Sequence, residues 1–284
     1  MFSYLLYRFA QAFALILPLR VAYSIAVFLS DIRFLFARQD RFYVTANLKV
    51  MFPYKSVDEI EKISIQLFRN FAKYLVDFFR FKKIQSEYIN KNIHVKDVHY
   101  IDDALAQGKG AILLTAHMGN WELGGVATSM LGYPFTTVAL PHKSKKVNAF
   151  FNKQRERKGI KVFPLGNAAK ALLRALRNND LLALVGDRDF LGKGILVDLF
   201  GKPTIFPLGP AVLSLQTGAK IIPSFTLRRP DDTFDLVFNK PIEYNVSGDK
   251  EKDLKEIVIK YKLVFEEYMR LYPEQWFMFK RFWD

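Results

Sequence analysis

The sequence predicts an α/β fold with a largely parallel central sheet flanked by helices, preceded by an apolar N-terminal segment. Three observations predict it. From about residue 110, short apolar runs alternate with stretches of helical period, the pattern of strand–helix–strand units whose strands pair in parallel. Half of the 284 residues are apolar, enough to bury a large core and to exclude a disordered chain. The ionisable residues with chemical potential fall just where apolar runs end, and open α/β sheets gather their sites at the carboxyl ends of strands.

Residues 1–36 are mostly apolar, but Gln11, Pro18 and Arg20 interrupt the run. A clean membrane-spanning helix needs about 20 consecutive apolar residues. The expected form is therefore a membrane anchor, either a tilted single span or an interfacial helical hairpin bent at Pro18; a buried core helix is the plain alternative. No basic stretch followed by a small-residue cleavage site marks a signal peptide. Residues 37–55 read as a connector. Ser56 and Glu59 have capping-box spacing, so each side chain can bond the other residue's free backbone N–H. Ile60, Ile63, Leu67, Phe68, Phe71, Leu75 and Phe78 then recur at helical spacing and predict a helix to about Phe79. Strands are expected at 111–115, 136–140, 160–163, 181–185, 220–227 and 234–239, with helices at 120–131, 146–158, 168–178, 208–217 and 250–271. No repeat or linker appears, so the expected organisation is an anchor over 1–36 and one domain over 37–284.

The 42 basic and 28 acidic residues leave a net charge of +14, which draws a protein to anionic partners: nucleic acid, an anionic membrane or an acidic carrier protein. Nucleic acid is disfavoured, because no RNP motif, zinc-finger spacing or Lys/Arg tail is present. Basic residues interleaved with 27 Phe, 13 Tyr and 3 Trp suit a membrane surface better. The absence of Cys excludes disulfides, thiolate metal sites and Cys nucleophiles.

The sharpest motif is His117-Met118-Gly119-Asn120-Trp121-Glu122, where an apolar strand ends and a helix begins. Five residues apart on one helix, His117 and Glu122 would point apart; they can cooperate only if His117 precedes the helix. Gly119 suits the open turn and Asn120 the N-cap. A carboxylate could then hold the imidazole in one tautomer, as the third member of a catalytic triad does. Asp187-Arg188-Asp189 follows the 181–185 strand, so Asp187 competes with Glu122 for that role, while Arg188 can equally be structural. His142 and Lys143 open a basic segment, and Arg155 and Arg157 lie late in the helix after it, where guanidinium forks can grip phosphate or carboxylate. His94 and His99 read as surface residues. No P-loop, G-x-S-x-G or H-E-x-x-H motif occurs, and no metal site is expected.

These residues resemble a known family, the bacterial lipid A biosynthesis lauroyl/myristoyl acyltransferases of the lysophospholipid acyltransferase superfamily. The His117 block resembles its H-x-G-N-W-E motif, Asn47-Leu48 with Phe52-Pro53 its N-L-x-x-x-F-P element, and Asp187-Arg188-Asp189 its D-Q-D, with Arg for Gln. Pro273-Glu274-Gln275-Trp276 and Lys280-Arg281-Phe282 resemble its C-terminal P-E-Q-W and R-R-F. The resemblance implies a glycerolipid-acyltransferase-like fold at the cytoplasmic face of a bacterial inner membrane. It implies an acyl thioester donor on acyl carrier protein or coenzyme A, no other cofactor, and a hydroxyl acceptor on an anionic membrane lipid or glycolipid. On this reading His117 is the general base, oriented by Glu122 or Asp187, and the oxyanion donor is Arg155 or a backbone N–H near Gly119. Substrate contacts are expected from Asn120, Trp121, His142, Lys143, Arg155, Arg157, Arg188 and Asp189, with an apolar groove for the acyl chain. A catalytically inert, membrane-binding scaffold of the same fold is the alternative.

Overall fold

Pro18 divides the N-terminal apolar run, because a proline inside a helix removes a hydrogen bond and clashes with the preceding turn. In the computed structural model, which describes residues 2–166 and 168–283, the run forms α1 (Phe2–Ile16) and α2 (Leu19–Phe36). No helix among the described residues is long and apolar enough to cross a membrane. The expected break at Pro18 is thus present. Arg80 closes the end of α1 by donating to the carbonyl oxygens of Ala14 and, at 2.8 Å, Leu17. Ala14, Ala22, Tyr23 and Phe34 face inward, whereas Leu5, Phe9, Phe13, Phe28, Leu35 and Phe36 lie exposed.

The expected connector is instead mostly helical. Val44, Leu48 and Met51 are buried at successive turns of α3 (Arg38–Met51); three apolar positions in a polar stretch are a weak periodic signal. Asn47 on the same face reaches the far end of the chain. Its amide donates to the carbonyls of Met278 (3.3 Å) and Lys280 (2.8 Å) and accepts from the Phe282 N–H (3.0 Å). The capping box forms at Ser56, and α4 (Val57–Phe79) follows with Ile60, Leu67, Phe68 and Phe78 buried. Short elements then appear that the sequence pattern did not predict, α5 (Ser86–Asn92), β1 (Ile93–Lys96) and α6 (His99–Leu105).

From β2 (Ala111–Thr115) the chain alternates as expected: α7 (Trp121–Met130), β3 (Phe135–Ala139), α8 (Lys145–Glu156), β4 (Ile160–Pro164), α9 (Ala169–Arg177) and β5 (Leu181–Val185). An unpredicted antiparallel ribbon, β6 (Ile195–Leu199) with β7 (Lys202–Phe206), precedes α10 (Gly209–Thr217), β8 (Lys220–Arg228), β9 (Phe234–Phe238) and α11 (Lys250–Leu271). Seven strands form one sheet in the order β1-β9-β8-β2-β5-β3-β4, parallel except where β9 pairs with β8. Side chains on a strand alternate between faces, and the two faces of β2 enter different cores. Ile112 and Leu114 join the one containing Ile257 and Phe265 of α11; Ala111 and Leu113 join the one containing Leu123 and Val126 of α7.

The tie between α3 and the C-terminal segment is testable. Asn47→Ala removes three hydrogen bonds and leaves backbone groups unpaired, and is expected to lower stability by about 1–3 kcal/mol in denaturant unfolding. A negligible change would show that the segment is held without it.

Candidate active site

The register of the two central strands builds the site. Thr115 of β2 lies opposite Val185 of β5 in a parallel pair, so the residues two steps beyond each, His117 and Asp187, emerge side by side. His117 Nδ1 lies 2.6 Å from Asp187 Oδ1. A carboxylate only accepts, so Nδ1 carries the proton and the Nε2 lone pair is left free. Asp187 Oδ2 accepts from the indole N–H of Trp276 at 3.1 Å. The Asp187 side chain is fully buried and that of His117 is 21% exposed, so the imidazole is the member of the pair that solvent or substrate reaches. Burial pushes the Asp187 carboxyl up, but His117, Arg188 and the Trp276 N–H together hold it well below the usual carboxylate range.

Glu122 does not orient the imidazole. Both of its oxygens are taken by Arg155 of α8, at 2.8 Å from Nε and 2.5 Å from Nη2. The turn at Gly119, with φ +59°, ends before α7 starts, and Glu122 in the first turn of that helix faces α8 rather than the strand end. Burial opposes the Arg155 charge, but Glu122 more than restores it. Of the two carboxylates that the sequence leaves open, Asp187 is the one placed on His117.

The loop carrying His117 is gripped by its neighbours. The Gly119 N–H donates to the Gln275 carbonyl (2.8 Å), the Asn120 N–H to the Thr226 carbonyl (2.7 Å), and the Phe277 N–H to the His117 carbonyl (2.9 Å). A side chain at Gly119 would collide with the Thr226 carbonyl oxygen. The backbone N–H groups of Gly119 and Asn120 are therefore occupied and unavailable to an oxyanion, contrary to one of the two expectations. Asn120 caps α7 through the Leu123 N–H (3.1 Å) as expected. Its Nδ2 donates to Asp77 at 2.8 Å, and the residue is 1% exposed, so it anchors the loop instead of facing a substrate.

Asp77 is the centre of a buried cluster that the sequence reading missed. Its carboxylate also takes hydrogen bonds from Arg228 of β8 and from the Tyr23 hydroxyl of α2. Burial raises the Asp77 carboxyl against the pull of Arg228. An Asp between Val76 and Phe78-Phe79 on an apolar helix was the signal available.

The remaining expected residues divide. The Trp121 ring stands edge-on to His117 at 5.2 Å and stacks on Tyr74 at 4.6 Å. Phe190 approaches the imidazole at 6.3 Å. Arg188 donates to the Phe277 carbonyl at 2.6 Å and lies 3.9 Å from Asp187 Oδ2. Asp189 accepts from the N–H groups of Leu191 (2.9 Å) and Gly194 (2.6 Å) and so shapes the loop after β5. His142 and Lys143 are exposed before α8, with the His142 ring 4.6 Å from Phe151. Burial and the nearby Arg155 charge lower the His142 pKa. Arg157 is exposed at the C-cap of α8, and His94 and His99 are exposed as expected. Behind Trp121, a void bounded by Gly124, Gly125 and Phe135 has a volume of only about 30 Å³, room for roughly two or three waters. An acyl chain entering there would require Trp121 or its neighbours to move.

The whole chain, residues 1–284, matches the family described as "Bacterial lipid A biosynthesis acyltransferase". It is 34% identical over 161 residues to a phosphatidylinositol mannoside acyltransferase of Mycobacterium tuberculosis, covering 55% of this chain and 51% of that protein. It is 24% identical over 190 residues to a lipid A biosynthesis acyltransferase of Haemophilus influenzae, covering 66% and 60%. It is 23% identical over 237 residues to a lipid A biosynthesis palmitoleoyltransferase of Escherichia coli, covering 83% and 76%. The match therefore spans about half the length of the mycobacterial relative. The chain belongs to the bacterial lipid A biosynthesis acyltransferase family.

Two expectations follow from the buried carboxylates. The Asp187 carboxyl titrates lower in the folded chain than its ordinary value of 3.8. Its stabilising contribution is therefore complete above that value and lost as pH falls through the folded pKa. The stability difference between wild type and Asp187→Asn, measured in denaturant, is expected to be largest at pH 7 and to shrink towards pH 3. An unchanged difference would show that the charge is not what stabilises. Asp77→Ala strands a buried guanidinium and is expected to cost about 3–5 kcal/mol by the same measurement; a cost below about 1 kcal/mol would show that Arg228 finds another partner.

Proposed function

We propose, on the premise of that family membership, that the chain is a membrane-associated O-acyltransferase. It transfers a fatty acyl chain from an acyl thioester, on acyl carrier protein or coenzyme A, to a hydroxyl of a lipid A precursor or related glycolipid. It acts at the cytoplasmic face of a bacterial inner membrane. The observation that carries the reading is the His117–Asp187 pair, with Nδ1 bound to the buried carboxylate and Nε2 left unbound on the exposed side.

The chemistry follows from that geometry. Nε2 accepts the proton of the acceptor hydroxyl as its oxygen attacks the thioester carbonyl, and Asp187 stabilises the imidazolium that results. Collapse of the tetrahedral species breaks the C–S bond, and the departing thiolate takes the proton from His117. Arg155 keeps two N–H groups beyond those given to Glu122 and Asn152, and with the N–H groups of the Gly119 turn occupied these are the expected donors left to meet the oxyanion. Trp121 and Phe190 frame the imidazole with apolar surface suited to an acyl chain. The exposed apolar face of α1 and α2, with the net charge of +14, suits docking on an anionic bilayer. The names of the relatives support a glycolipid acceptor.

The test is acyl transfer in membranes from labelled acyl carrier protein and labelled acyl coenzyme A to a panel of lipid A precursors and mannosylated lipids. His117→Ala is expected to reduce product by about 10²–10⁴-fold. Asp187→Asn is expected to fall well below Glu122→Gln in any assay that reads the proton transfer. Equal product from wild type and His117→Ala would sink His117 as the base, and full cellular function of that variant would favour the inert scaffold.

A further inference from the structure

α8 carries cations on two faces. Arg155 is turned towards Glu122 and the catalytic loop. Lys146, Lys153 and Arg157 are turned towards α1, where with Arg8 they line a cleft of about 360 Å³. No acidic residue lines the cleft, and among the described residues none of these four cations has a carboxylate within ion-pairing distance. Four like charges converging on a concave space repel one another unless an anion occupies it.

Two further observations narrow the anion. Gln154, 3% exposed, lines the same cleft, and its Oε1 is buried without a hydrogen-bond partner. A buried acceptor without a donor is costly, and a ligand hydroxyl would satisfy it once the side chain turns into the cleft. The outward side of α1 carries exposed Leu5, Leu6, Phe9 and Phe13. A helix lying in a bilayer interface places such a face among the acyl chains and its flanking cations at headgroup level.

We propose that the cleft between α1 and α8 is a binding site for the headgroup of an anionic phospholipid that carries both a phosphate and a hydroxyl, distinct from the His117 site. Arg8, Lys146, Lys153 and Arg157 hold the phosphate, and Gln154 takes the hydroxyl. The bound lipid clamps α1 to α8 at the bilayer surface. The site rests on the membrane-docking part of the proposed function and not on the acyl-transfer part.

The test is binding of the purified full chain to vesicles of neutral phosphatidylcholine with and without phosphatidylglycerol, at physiological salt. Wild type is expected to prefer phosphatidylglycerol. Arg8→Gln with Lys153→Gln removes one cation from each wall and is expected to weaken that binding about 30-fold, at about fivefold for each cation near an anionic surface. Lys250→Gln with Lys255→Gln, which removes two exposed cations from α11, is expected to change it no more than about threefold. Gln154→Leu, which alters no charge, is expected to weaken it severalfold. Equal losses from the two double variants would overturn the site in favour of diffuse charge. Complete displacement of the vesicles by millimolar inorganic phosphate would overturn the lipid as its ligand. Binding to neutral vesicles with no gain from phosphatidylglycerol would overturn the site alone, and absence of binding to either would overturn it together with the docking reading beneath it. Acyl transfer is assayed separately, so failure of the chemistry is distinguishable from all of these.

Discussion

A carboxylate with no exposed surface stays charged only if its surroundings replace water, and the architecture around the imidazole follows from how that is done for Asp187. One oxygen faces the His117 ring and the other the Trp276 indole, with Arg188 alongside. Trp276 comes from the far end of the chain, so the C-terminal segment must be fixed for the pair to exist. Asn47 of α3 and Asn70 of α4 hold that segment by its backbone, while the Gln275 amide bonds both backbone groups of Arg228. The motifs near residues 47, 117, 187 and 276 are dispersed in sequence but joined in space, Asn47 to the C-terminal segment, Trp276 to Asp187 and Asp187 to His117.

A second buried charge pair, Asp77 with Arg228, serves the loop rather than the ring. A buried ion pair contributes little net stability, since desolvation offsets most of its attraction. Its value here is directional. Asp77 accepts from Asn120, which caps α7 immediately after the Gly119 turn. The same carboxylate accepts from Tyr23 of α2, so the N-terminal helices and the His117 loop share one anchor. A displacement of α2 that broke the Tyr23 bond would alter the partner set of the residue that positions the loop.

Much of the scaffold was legible in the sequence. Strands β2 and β5 were readable because burial on both faces makes their apolar runs continuous, and the capping box marked the start of α4 unambiguously. β1 and the β6–β7 ribbon were not, since they are short and partly exposed and carry no such run. The residues of the site were legible as types but not as partners. His117, Glu122 and Asp187 all stood at strand ends or helix starts. Which carboxylate meets the imidazole depends on strand order, and strand order is not a local property. Placing β5 beside β2 brings Asp187 to His117 and leaves Glu122 to Arg155. Asp77 was hidden for a related reason, because a single acid in an apolar helix shows its purpose only when Arg228 arrives from β8.

α8 divides the molecule's positive charge between two tasks. Arg155 has its charge neutralised at close range by Glu122, so its field is short. Lys146, Lys153 and Arg157 have no such partner, and their field extends from the cleft beside α1 into solvent, over about 8 Å at physiological salt. That difference in pairing, not in residue type, separates a cation held in place by one carboxylate from cations whose charge is open to an anion in solution. On the proposed reading the helix stands between bilayer and catalytic loop. A lipid headgroup seated on one of its faces then constrains the face that carries Arg155, through a rigid element scarcely wider than the helix itself.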